Sequence, residues 1–261
     1  MLYALYLPNI FTSSALLAPA DDNNTNSGMM GQFSSVASLA GISIGGESAD
    51  KSIEAIERIR SYEFFSKYFL PEISLKNLVA VDRWDSSTDI ISYENDVIDD
   101  KGGWIEGAPS YQDAYKVYSD IVSISQDRKT FFITLSVKHK SPIIAKKWTE
   151  IIIKKINSSM RNQDKLKATK SLDFLNSQLS KVNFQEIRLA ISSLQETQMK
   201  SLMLIESNDD YVFKVIDSPI VPEKKSEPKR SLIAILGTVL GFFLSLLTVS
   251  VLYIFKKQDI S

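Results

Sequence analysis

Cysteine is absent from the 261-residue chain, and histidine occurs once, at His139. The first absence excludes a disulfide framework, thiol catalysis and any Cys-ligated zinc site. The second leaves little for metal or triad chemistry, and a lone His139 between Lys138 and Lys140 at a strand end reads as a surface histidine. An excess of one charge is missing too: 30 Lys+Arg stand against 31 Asp+Glu, which excludes a strongly basic nucleic-acid binder. The balance conceals a division. Residues 1–137 carry 10 basic and 19 acidic side chains, and residues 138–261 carry 20 and 12, a net of −9 against +8. Two oppositely charged halves suit a long-range arrangement, such as one between subunits, better than a polyanion site. Proline and glycine are both absent from Ile143 to Glu206.

What is present begins with an uncharged run, Ser231 to Phe255. Its 25 residues reach about 37 Å as a helix, enough to cross a hydrocarbon core of about 30 Å with some tilt. Lys229 and Arg230 before it and Lys256 and Lys257 after it bracket the span, and Tyr253 stands at interfacial depth. Within it Gly237 and Gly241 form a small-xxx-small step that lets helix backbones approach closely, a candidate self-association site. Met1 to Phe11 is apolar but too short to span, is cut by Pro8 and lacks the basic region of a signal peptide. It is consistent with the trailing edge of a first membrane helix, and equally with an N-terminal strand.

Along the chain, Thr12–Ala18, Thr130–His139 and Tyr211–Ile216 read as strands, rich in β-branched and apolar residues. Asp21–Ser27 is a polar turn, and Val36–Ile44 is small and apolar up to Gly45-Gly46. A helix of roughly twenty residues is expected from a Ser48 cap to Pro71, with Ile53, Ile56, Ile59, Phe64 and Tyr68 as its stripe. Asp82 to Gly107 reads as an acidic loop, and Pro109 with Ser110 opens a further helix. The region Ile143–Glu206 would span on the order of 95 Å if continuous. Ala168, Leu172, Leu175, Leu179 and Val182 recur at heptad-like spacing, followed by Ile187, Ile191 and Leu194. Ser180–Phe184 is the expected bend, capped by Asn183. The narrow seam favours an extended helical projection over two ordinary helices folded onto a core. Its Leu172, Leu175, Leu179 and Val182 need a partner, either the returning helix or the same seam of a neighbouring subunit.

No motif carries chemistry. Gly45–Ser52 has Asp50 where a phosphate-binding loop requires glycine before the lysine. Glu94, Asp96, Asp99 and Asp100 lack the ligand alternation of an EF-hand. No catalytic residue, cofactor or metal is expected.

Several stretches resemble the chain length determinant (Wzz) family, the polysaccharide co-polymerases of Gram-negative inner membranes. They are Leu7-Pro8-Asn9-Ile10-Phe11-Thr12-Ser13, Ala37-Ser38-Leu39-Ala40-Gly41-Ile42, and Ser141-Pro142 with Ile144-Ala145-Lys146-Lys147-Trp148. Tyr211-Val212-Phe213-Lys214-Val215-Ile216-Asp217 follows, then Pro222-Glu223-Lys224-Lys225 and Pro228-Lys229-Arg230 before the apolar run. The resemblance implies an α+β fold: a membrane-proximal mixed α/β base in the periplasm, a long helical hairpin and a C-terminal transmembrane helix, with the first transmembrane helix largely missing. On that plan residues 1–142 hold the first part of the base, 143–206 the helical extension and 207–218 a returning strand. Residues 219–230 form a proline-spaced linker, 231–255 the membrane helix and 256–261 a cytoplasmic tail. The implied function is non-enzymatic: an oligomeric inner-membrane scaffold that sets the modal length of O-antigen or a related polysaccharide made by a separate polymerase. The implied partners are further copies of the chain, that polymerase and lipid-linked polysaccharide, with no nucleic acid. The competing reading is a tail-anchored cytosolic helical scaffold or adaptor, which a plain count of flanking lysines and arginines favours.

Overall fold

A computed structural model describes residues 7–20 and 47–231, together with Ile233, Ile235, Thr238, Val239, Gly241, Phe243 and Ser245. The Asp21–Ser27 turn, the Val36–Ile44 stretch and most of the apolar run, Gly237 included, lie outside the described residues.

Four antiparallel strands form the base in the order β4-β5-β1-β6. They are β1 (Phe11–Pro19), β4 (Val122–Gln126), β5 (Ile133–His139) and β6 (Phe213–Asp217). Side chains alternate across a strand, so Ser13, Ala15 and Leu17 of β1 and Ile133, Leu135 and Val137 of β5 turn to one face and are buried. The register sets Leu17 opposite Ile133, Ala15 opposite Leu135 and Ser13 opposite Val137, so both buried sets share one face. Hydroxyls line the other face, where Ser14 and Ser136 meet at 2.9 Å across the two central strands.

Helices cover the buried face. They are α1 (Glu47–Arg60), α2 (Tyr62–Phe64), α3 (Leu75–Val79), α4 (Tyr111–Ile121), α5 (Pro142–Leu179) and α6 (Gln185–Ser207). The twenty-residue helix expected from Ser48 to Pro71 is interrupted: α1 contains Ser48 and ends at Arg60, and Ser61 caps α2 by accepting from the Phe64 N–H. Beyond α2 the chain runs through a π-helical turn, Phe65–Phe69. A wider turn rotates each residue by less, which brings Phe64, Phe65 and Phe69 onto one narrow arc, and all three are fully buried. Tyr118 of α4 packs 5.2 Å from Phe65 and 5.0 Å from Phe69, and Trp148 of α5 meets Phe69 edge-on at 5.6 Å. Such aromatic pairs add roughly 0.5–1.5 kcal/mol each beyond their area. Burial raises the Tyr118 hydroxyl's pKa, and that hydroxyl stays neutral and donates to the Ile59 carbonyl.

The stretch expected to be an acidic loop contains a hairpin, β2 (Val81–Trp84) with β3 (Ile91–Tyr93). Asp85 folds the turn by accepting from the Ser87 N–H and from the Ser87 and Thr88 hydroxyls. Strand β5 starts at Ile133 rather than Thr130, because Asp127 holds Lys129 and Thr130 in a turn through their N–H groups.

Helix α5 joins base to projection. Ser141 caps it, and Ile144, Trp148, Ile152, Ile156 and Met160 are buried on its base-facing side. Its 38 residues reach about 57 Å. Above Met160 its sole fully buried side chain is Ala168, so the upper half stands off the base. Helix α6 returns alongside it, tied by Lys165 to Glu206 and by Asn176 accepting from Gln195 at 2.6 Å. The region is therefore a hairpin whose lower part packs on the core and whose upper part projects. Its bend falls at 180–184 as expected, but Phe184, not Asn183, occupies the cap position and makes no side-chain cap.

Candidate functional site

Two features stand at opposite ends of the molecule: the junction where the chain enters and leaves the base, and the projecting hairpin.

At the junction, Ile10 pairs with Glu227. The Ile10 N–H donates to the Glu227 carbonyl at 3.0 Å, and the Ser226 N–H donates to the Ile10 carbonyl at 2.8 Å. The Thr12 and Ser226 hydroxyls meet at 2.7 Å, and Lys138 donates to the Glu227 carboxylate at 2.6 Å. Asn9 accepts from Lys225 at 3.0 Å and from Arg230 at 3.3 Å. The proline-spaced segment is thus zipped onto the same edge of β1 that holds β6, rather than free-standing. A helix begins at once, with the Ile233 N–H bonded to the Lys229 carbonyl at 3.2 Å. Its described members Ile235, Val239 and Phe243 are 64%, 46% and 59% exposed. Among the described residues no helix is long and apolar enough to cross a membrane, and the larger part of Ser231–Phe255 is not among them.

Asn157 secures the strand that returns from the hairpin. The Ala20 N–H bonds the Val212 carbonyl, which makes Pro19 and Phe213 a non-hydrogen-bonded pair. The missing N–H of Pro19 therefore costs nothing, and the polar groups of Phe213 turn to the open edge of β6. Asn157 satisfies them there: its amide donates to the Phe213 carbonyl and its carbonyl accepts from the Val212 and Phe213 N–H groups, all at 2.9 Å. Sequence reading missed Asn157, which with Thr149 and Ser159 is one of three polar side chains buried among the apolar residues of α5.

On the hairpin, Leu172, Leu175, Leu179 and Val182 are half-buried towards the returning helix. The expected partner stripe is only partly formed: Ile191 is buried, whereas Ile187 and Leu194 are 48% and 53% exposed. Large apolar side chains also point away from the seam. Phe174 is 62% exposed, Phe184 73%, Leu189 64% and Met203 64%.

Gly241 is described and exposed, and a Cβ there would meet nothing within 4 Å among the described residues. His139 is not a surface histidine; it is 7% exposed, edge-on to Trp148 at 4.8 Å. The Ser141 N–H donates to its Nδ1 at 2.8 Å, so the ring proton sits on Nε2, which donates to the Asn77 carbonyl at 2.8 Å. Burial lowers its pKa. Its position is structural, bracing the cap of α5. Asp99 closes a turn by accepting from the Lys101 and Gly103 N–H groups. Lys51, from the stretch that departs from a phosphate loop, lies 3.6 Å from the Asp164 carboxylate and over the Tyr211 ring. Among the described residues no group of three or more His, Asp or Glu side chains could hold a metal ion.

No family model matches the chain, and no curated protein does. Solved structures do match. A fragment of WzzB, the polysaccharide co-polymerase of Salmonella Typhimurium, is 14% identical with a TM-score of 0.35, over 84% of this chain and 100% of that one. A full-length bacterial polysaccharide co-polymerase is 14% identical with a TM-score of 0.33, over 93% and 85%. A lipopolysaccharide O-antigen chain-length regulator of Shigella flexneri is 13% identical with a TM-score of 0.25, over 83% and 100%. Identities and scores this low leave function to be read from the chain's own residues.

Proposed function

We propose that this chain is a non-enzymatic regulator of polysaccharide chain length. It acts as an oligomeric inner-membrane scaffold beside a separate polymerase of O-antigen or a related cell-surface polymer. The observation that carries the reading is the placement of the segments entering and leaving the base at one point. Asn9 and Arg230 are bonded to each other there, at the start of an apolar helix and at the end of the base away from the hairpin tip. A chain tethered to a bilayer at both ends holds its base on the surface and raises α5 and α6 away from it. The reading as a tail-anchored adaptor gives no reason for the Asn9 contacts.

The apolar side chains on the upper hairpin support assembly from several copies. Gly237 and Gly241 supply a close-approach step for the membrane helices, and the seam from Leu172 to Val182 stiffens the rod. The periplasm is the compartment that fits, since that is where a polymer growing on an inner-membrane carrier would meet such a scaffold.

Cells carrying and lacking the gene test the proposal by the length distribution of their surface polysaccharide. Retained synthesis with loss of the preferred length supports it. Loss of all polymer would make the protein part of the polymerising machinery, and an unchanged distribution would remove the role.

A further inference from the structure

We propose that the lower end of the base is a lipid-binding face: an apolar groove there takes up the interfacial layer of the bilayer that anchors the chain. The groove encloses about 500 Å³ and is lined by Phe11, Trp84, Pro142, Ile143, Val221 and Pro222, with Asn9 and Lys225 among its polar members. Trp84 stands edge-on to Phe11 at 5.6 Å, and its indole N–H donates to Asp89 at 2.7 Å, so one rim of the ring is satisfied while its body stays apolar. Ile143 is 43% exposed and Val221 41%, at the foot of α5 and in the segment after β6. A tryptophan beside branched aliphatic side chains is the composition that sits at the boundary of headgroups and acyl chains.

Geometry chooses the occupant. Pro228 and Lys229 alone separate the last backbone pairing, at Glu227, from the first helical residue, Arg230. The three steps from Glu227 to Arg230 reach at most about 11 Å. If the helix from Arg230 enters a bilayer, a groove lined by Asn9 and Lys225 lies within about one side chain's length of the plane of entry. An amphipathic surface at that height is buried roughly 5–10 Å into the boundary region. The charge agrees: Lys224, Lys225, Lys229 and Arg230 surround this exit, against Glu223 and a Glu227 already paired with Lys138. Cations around an apolar groove complement anionic phospholipid headgroups.

The inference rests on the membrane-anchored reading, and one preparation separates the two. The full chain has no cysteine, so Ile143→Cys, Val221→Cys and, at the hairpin tip, Phe184→Cys each give a single spin-label position at an exposed site. With the protein in nanodiscs containing anionic phospholipid, relaxation by oxygen and by a water-soluble nickel chelate is compared at each position. The oxygen-to-nickel ratio is expected to be several-fold higher at positions 143 and 221 than at 184. Equal ratios at all three positions would overturn the proposal. So would labels at 143 and 221 that are immobilised and shielded from both reagents, since a protein segment would then fill the groove. A chain that fails to float with lipid would instead overturn the membrane reading on which the proposal stands.

Discussion

Replacing Asn157 with alanine removes the single side chain that satisfies the outer edge of β6. The change deletes three hydrogen bonds and leaves the Val212 N–H and both polar groups of Phe213 without that partner, in residues 3% and 0% exposed. A buried group left unsatisfied costs about 1–3 kcal/mol. Water reaches an open sheet edge more readily than a core, so the net loss should be on the order of 3 kcal/mol rather than the full sum. The effect should concentrate where Asn157 acts. Amide exchange should accelerate at Val212 and Phe213 and at their partners in β1, while Ile133–Val137 stay protected on the far side of β1. The measurement is hydrogen exchange of the full chain in detergent, with thermal unfolding read by the aromatic signal of the base. Exchange unchanged at β6 in the alanine variant, or a loss below about 0.5 kcal/mol, would refute the latch, since one ordinary hydrogen bond is already worth that much.

Three further outcomes are expected. His139→Ala should destabilise the base by roughly 2 kcal/mol, because the Ser141 N–H at the cap of α5 loses its acceptor. In the native chain the folded-state pKa of His139 lies below its unfolded value, so the unfolded state binds the proton more readily. Stability should then fall as pH drops below about 6.5, the unfolded value, and unfolding curves of the alanine variant should lack that dependence. Leu175→Lys with Leu179→Lys should loosen the upper hairpin, each half-buried leucine contributing about 1 kcal/mol, without melting the base, and should shift the polysaccharide length profile. A Cβ at Gly241 meets nothing within 4 Å among the described residues, so Gly241→Leu should weaken the assembly through another helix, by about 1 kcal/mol per contact, read from the mass of the detergent complex.

Three of the four strands of the base were legible because each carries its own signal, alternation in β1 and β5 and β-branched residues in β5 and β6, whereas β4 follows α4 without a break and was not. The break between α5 and α6 was legible from the polar stretch at 180–184 alone. Packing decided what was not. The Ser61 cap that ends α1 and the π-helical turn that draws Phe64, Phe65 and Phe69 onto one arc are specified by no local propensity, and the apolar spacing from Ser48 reads as one continuous helix. The β2–β3 hairpin was hidden by its acidic turn residues, although Val81–Trp84 and Ile91–Tyr93 flank a cluster of Asp, Ser and Thr that favours a turn. Trp84 was lost from view with it. His139 was placed at the surface because lysines flank it, yet successive strand residues face opposite ways, so Lys138 and Lys140 say nothing about the side on which His139 lies. The zipping of Ile10 to Glu227 joins residues more than 200 positions apart, a pairing that local pattern does not reach.

As proposed, the chain sets the length of a polymer that another protein makes. A gel profile of surface polysaccharide from a deletion strain, and from the same strain with the gene restored, measures this directly. Deletion should abolish the modal cluster while polymer of random length persists, and restoring the gene should restore the cluster. The same distribution with and without the gene would contradict the proposal.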